Sequence, residues 1–121
     1  MGKTTRRPIN EEEAAVVRAI LERVPWKPIP RPTLESASSL VVVGTCACGC
    51  SSLEFESEPR PPRGNPIAGG YGVTRSGRTV EVLLFGTPEV LTAFEVISPG
   101  HDDGSLPRPE SIGVMIPDQR V

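Results

Sequence analysis

The alternation of apolar and polar positions divides the chain into one helix followed by short strands. Asn10 is a good N-cap, Glu13 three residues on completes a capping-box pattern, and Glu11, Glu12 and Glu13 fall in the first turn, where the helix dipole favours acids. Ala14, Val17, Leu21 and Val24 then recur at helical spacing until Pro25 stops the run. Leu40 to Val43 is rich in β-branched residues and predicts a buried strand. Leu53-Glu54-Phe55-Glu56 alternates as a half-exposed strand does, and Gly49, Ser51 and Ser52 mark a hairpin or bulge between the two. Thr79 to Phe85 is apolar on both faces, with Val80, Val82 and Leu84 on one and Leu83 and Phe85 on the other, which predicts a central strand. Gly86-Thr87-Pro88-Glu89 supplies a turn, and Leu91 to Ile97 returns antiparallel with Phe94 and Val96 facing inward. A short apolar patch, Ile112 to Ile116, closes the pattern. A helix and then strands, without βαβ alternation, give an α+β fold: an N-terminal helix packed on an antiparallel sheet of about four strands.

The segments between these elements read as irregular. Residues 1–9 carry Lys3, Arg6 and Arg7 and no acid, and are expected to be a flexible basic tail ahead of a single domain, 10–121. Pro25-Trp26-Lys27-Pro28-Ile29-Pro30-Arg31-Pro32 favours a polyproline conformation, either a docking peptide or, preferred here, a stiff linker whose tryptophan packs on the domain. The stretch 57–77 holds four prolines and five glycines and predicts a long Gly/Pro-rich loop. Within it Gly69-Gly70-Tyr71-Gly72 has no Gly-Lys-Ser/Thr after it, so a mobile hairpin tip is preferred to a phosphate loop.

Composition narrows the function classes. With 121 residues, 37% hydrophobic and 23% charged, the chain suits one small globular domain. Its apolar runs are far too short to span a bilayer, and no apolar stretch follows the basic N-terminus as in a signal peptide, so a cytoplasmic location is expected. Basic and acidic residues are interspersed at a net charge of −2, without a basic stripe or interleaved aromatics. Neither nucleic acid nor a membrane is therefore expected as a partner. No G-x-S-x-G elbow occurs, and Glu54, Glu56 and Glu58 read as the solvated face of a strand rather than paired catalytic carboxylates. No enzymatic activity is expected.

The chemistry concentrates in Cys46-Ala47-Cys48-Gly49-Cys50, which holds all three cysteines. Thiolates at a spacing of two can share one face of a strand, and soft metals, zinc among them, prefer such ligands. Cys46, Cys48 and Cys50 would supply three ligands, and His101, the sole histidine, a fourth. Against this, structural zinc sites use paired knuckles, and no second one exists here. Thiol redox chemistry is a further reading, but no cation adjoins the cysteines and the C-x-x-C spacing is missing. The preferred reading is structural: small buried hydrophobes beside a glycine where backbones approach closely, with no cofactor. The odd count also argues against a secreted disulfide framework.

The cysteine block Cys46 to Ser52, the N-terminal helix, and the pair Val80-Glu81-Val82-Leu83-Leu84-Phe85 and Leu91-Thr92-Ala93-Phe94-Glu95-Val96 together resemble a family of small bacterial proteins of uncharacterised activity. A proline-bearing tail like Leu106-Pro107-Arg108-Pro109 is similar too, whereas the insert 57–77 departs from that pattern. The resemblance implies a shared fold and carries no activity or site residue. The leading expectation is a non-enzymatic domain that binds a protein partner through Pro25 to Pro32 and Ser57 to Gly77, and the alternative is a metal-binding module on the cysteines. No pattern in the sequence sets an oligomeric state.

Overall fold

Asn10 opens the main helix as its sequence dictates. Its Oδ1 accepts from the Glu13 N–H at 2.7 Å, and the Glu13 carboxylate accepts from the Asn10 N–H at 3.1 Å, so both ends of the capping box are made. The computed structural model describes residues 3–45, 51–57, 66–98 and 104–114. Helix α1 spans Glu11–Arg23 and leaves helical geometry at Val24, the residue a following proline pushes out of the α region. Its buried stripe includes Val16 and Ile20 besides the Val17 and Leu21 read from the sequence.

Among the described residues six strands, not about four, form one antiparallel sheet. They are β1 (Lys3–Pro8), β2 (Val41–Thr45), β3 (Leu53–Phe55), β4 (Pro66–Val73), β5 (Thr79–Gly86) and β6 (Leu91–Ile97), in the order β1-β2-β3-β6-β5-β4. The two additional strands fall where the sequence reads as irregular. Residues 3–8, expected as a flexible tail, pair with β2 as an edge strand, because β2 presents backbone N–H and C=O groups that the backbone of 3–8 can satisfy without an apolar pattern of its own. Residues 66–73, inside the expected 57–77 loop, pair along their length with β5, so Gly69 to Gly72 lie mid-strand rather than at a hairpin tip. The tip is the turn after them, closed by Thr74 N–H to Arg78 O and Gly77 N–H to Thr74 O, both 2.9 Å.

The core lies between α1 and one face of the sheet. Val80, Val82 and Leu84 of β5, Phe94 and Val96 of β6, Leu53 and Phe55 of β3 and Val42 of β2 point to α1 and are buried with Val16, Val17, Ile20 and Leu21. A short helix α2 (Arg31–Ser36) continues into a 3-10 turn (37–39), and Leu34 and Ile29 pack on the same core. The expected polyproline stretch therefore ends early: Arg31 and Pro32 already form the first turn of α2, where a missing N–H costs nothing. Thr33 anchors that turn by donating to the Pro88 carbonyl at 2.7 Å.

The two sheet edges are treated differently. The outer edge of β4 is closed by chain segments from both sides. Trp26 N–H donates to Ile67 O and Gly69 N–H to Val24 O; Tyr71 and Gly113 exchange a pair of bonds at 2.9 Å, and Arg108 N–H donates to Val73 O. Among the described residues nothing pairs with the outer edge of β1. Nor is any described helix long and apolar enough to cross a membrane.

Candidate functional site

Two features of the surface could bind something. The first is the sheet face opposite the helices. Strand register places Tyr71, Glu81 and Ile97 in one row across β4, β5 and β6, and Gly69, Leu83 and Glu95 in the next. Phe85, Ala93 and Glu54 follow in a third row. Phe85 and Ala93 of the third row are buried, whereas Tyr71, Glu81, Leu83 and Glu95 are half-buried and Ile97 is exposed.

Trp26 lies at the margin of that face. It is 57% exposed, yet it is held on three sides of its bonding capacity: backbone N–H to Ile67 O, indole Nε1–H to Gly69 O at 3.1 Å, and ring against β4. A Cβ placed on Gly69 would sit 3.0 Å from Trp26 Cζ2 and 2.7 Å from Leu83 Cδ2, so the glycine is what lets the Nε1–Cζ2 edge of the ring approach the strand. The sequence reading that the tryptophan packs on the domain holds for the ring edge that carries Nε1, while more than half of the residue stays exposed. Tryptophan in this state loses little further entropy on binding and carries a large apolar surface.

The second feature is a polar cleft of about 370 Å³ at the N-terminal end of α1. Arg7, Asn10, Glu12 and Glu13 form one wall, and Thr45, Ser51, Ser52 and Leu53 another, with Arg75 and residues 104–106 at the margin. Its charges are largely satisfied internally. Arg7 holds Glu13 through Nη1–Oε1 at 2.9 Å and Nη2–Oε2 at 2.8 Å, and Arg75 reaches Glu12 at 3.7 Å. The Arg75–Glu12 pair is exposed and contributes little. On the other side of the sheet Arg6 grips Glu56 with two bonds at 3.0 Å, which lowers the Glu56 pKa; its solvent exposure likewise makes it a weak contributor.

Cys46, Cys48, Cys50 and His101 lie outside the described residues, and so does Glu58. Among the described residues no cluster of His, Cys, Asp or Glu could hold a metal ion. The described residues that flank the cysteine block are nevertheless informative. Thr45 precedes it and Ser51 follows it, and both line the cleft; Gly104, three residues after His101, lines it too. Ser51 Oγ lies 3.4 Å from the Ser105 carbonyl and ties the two segments at the cleft. The sequence gives no sign of this convergence, which depends on strand pairing. It gives part of the sign for Trp26, the chain's one tryptophan set among prolines.

The chain matches no family model, no curated protein and no solved structure, so its site is read from its own chemistry.

Proposed function

We propose that this chain is a small, non-enzymatic domain that acts by binding a protein partner. The observation that carries the reading is Trp26: fixed by two hydrogen bonds, seated on a glycine, and still 57% exposed beside the sheet face that carries the exposed Ile97. The basis differs from the one the sequence suggests, because Pro25 to Pro32 is tied to β4 and α2, and 66–73 is a strand. With the tagged chain as bait in native lysate, a specific partner should be recovered and should be lost with Trp26→Ala. Capture indifferent to that substitution would remove the reading.

A second reading is a soft-metal module in which Cys46, Cys48 and Cys50, with His101, supply the ligands. It is supported by Thr45, Ser51 and Gly104 lining one polar cleft, which brings the ends of both ligand-bearing segments to a common place. The donor set suits zinc or another thiophilic ion, whose binding would add to folding free energy. Metal analysis of protein purified without chelator, with melting curves before and after chelation, decides it. On this reading at least one equivalent of metal is present and the transition falls on chelation; metal-free protein with an unchanged transition excludes it.

A further inference from the structure

The part of this sheet face around Tyr71, Glu81, Leu83 and Ile97 is accessible, and its charge pattern narrows the class of partner. None of β3, β4, β5 or β6 contains a lysine or arginine, while Glu54, Glu81 and Glu95 all belong to the face opposite the helices. Glu54 and Glu95 are engaged in interactions of their own, which leaves Glu81 as the carboxylate of that face with no partner among the described residues. It sits directly between Tyr71 and Ile97 in the register, one row from the Trp26–Leu83 pair. An acid without a partner, beside a phenol ring and one row from an anchored indole, is a suitable environment for a flat cation, which can lie on an aromatic face while bonding a carboxylate.

Resting on the protein-binding reading, we propose that the partner presents an arginine-bearing segment to this face, its guanidinium lying against Trp26 or Tyr71 and bonding Glu81, its aliphatic stem against Leu83 and Ile97. Charge complementarity chooses a basic segment over an acidic or neutral one. A second copy of this chain docked face to face would set acid against acid. Arginine is favoured over lysine because its guanidinium is planar, stacks on aromatic rings and is more weakly hydrated.

The sole tryptophan makes the face its own reporter. Blocked tetra-arginine, tetra-lysine and tetra-glutamate peptides are titrated against the intact chain, following Trp26 emission, with calorimetry for variants that lack the indole. Tetra-arginine should bind tightest and shift the emission, more so at low salt. Glu81→Gln should weaken it about threefold and Trp26→Ala about fivefold, while Glu35→Gln, an exposed acid on α2, changes nothing. The proposal is overturned if tetra-arginine binds no better than tetra-glutamate, if tetra-lysine equals it with the same emission change, or if Glu81→Gln and Glu35→Gln behave alike. Partner capture that needs Trp26 alongside failed arginine binding leaves the protein-binding reading standing and rejects only the basic specificity; capture indifferent to Trp26 rejects both.

Discussion

Replacing Gly70 by alanine should destabilise the protein by about 3 kcal/mol, although the change adds a single methyl group. Gly70 has no left-handed backbone to maintain. What it provides is space where β4, the end of α1 and the 107–113 segment meet. A Cβ there would overlap the Gly113 carbonyl oxygen, lie 2.9 Å from Val24 Cγ1 and 3.2 Å from the Gly113 carbonyl carbon. Relief cannot come from a side-chain rotation alone, because the obstructing oxygen is the one that accepts from Tyr71 N–H, and Gly113 N–H returns the bond to Tyr71 O. Moving that strand aside gives up two backbone hydrogen bonds, worth about 1 kcal/mol each, in addition to the strain of overpacking. Gly113→Ala is the matched control. Its Cβ would meet nothing within 4 Å and its φ is not positive, so it should stay within about 0.5 kcal/mol of the parent. Urea denaturation midpoints of the three proteins decide the matter; a Gly70→Ala protein within about 1 kcal/mol of the parent would show that the 107–113 segment is not a fixed part of the fold.

The same junction explains which parts of the fold were legible in the sequence. The capping box at Asn10 and Glu13 was readable because both partners lie within one turn, and the Val80-Val82-Leu84 alternation because a half-buried strand must repeat at two. β4 was not readable. Pro66 to Val73 carries three glycines, which as a local pattern means a turn. Those glycines instead answer to neighbours distant in the sequence: Gly69 to Trp26 and Leu83, Gly70 to Val24 and Gly113, Gly72 to Pro107, Ser111 and Ile112. β1 was missed for the complementary reason. Residues 3–8 have no apolar alternation, and their strand state is imposed by the free edge of β2. The sheet grew from about four strands to six through pairings that no window of local sequence contains.

The candidate sites divide along the same line. Trp26 was visible as a lone aromatic among prolines, but its anchored, half-open state depends on Gly69, which lies on a strand that the sequence hides. The sequence reading of Thr79 to Phe85 as apolar on both faces passes over Glu81. Only the pairing Tyr71–Glu81–Ile97 places it between a tyrosine and an isoleucine on the face opposite the helices. For the cysteine block the sequence supplied the residues and their spacing, and the structure adds where the chain enters and leaves the segment, at the cleft walled by α1.

Glu13 on that wall should make part of the stability depend on pH, in a direction fixed by its environment. Burial is the largest single influence on its carboxyl group and raises the pKa. It is outweighed by the combined hydrogen bonds from Arg7 and the Asn10 N–H and by the Arg7 charge, so the folded-state pKa lies below the ordinary value of 4.5. A depressed carboxyl pKa means that the native state binds fewer protons than the unfolded chain in the interval between the two values. The stabilisation from Glu13 is therefore complete above the unfolded value and is lost as pH falls through the folded one; the arginine stays charged throughout. Glu13→Ala removes the bidentate Arg7 pair and half of the capping box at once and should cost about 2 kcal/mol at pH 7. Glu13→Gln keeps an acceptor for the Asn10 N–H but loses the charge, and should cost about 1 kcal/mol there. Urea midpoints at pH 7 and near pH 3 test both magnitude and sign: the gap between parent and Glu13→Gln should narrow at the lower pH, because the parent's own carboxylate is then being protonated. A gap that stays constant or widens on acidification would mean that the Arg7–Glu13 contact contributes nothing through charge, leaving Glu13 a helix cap alone.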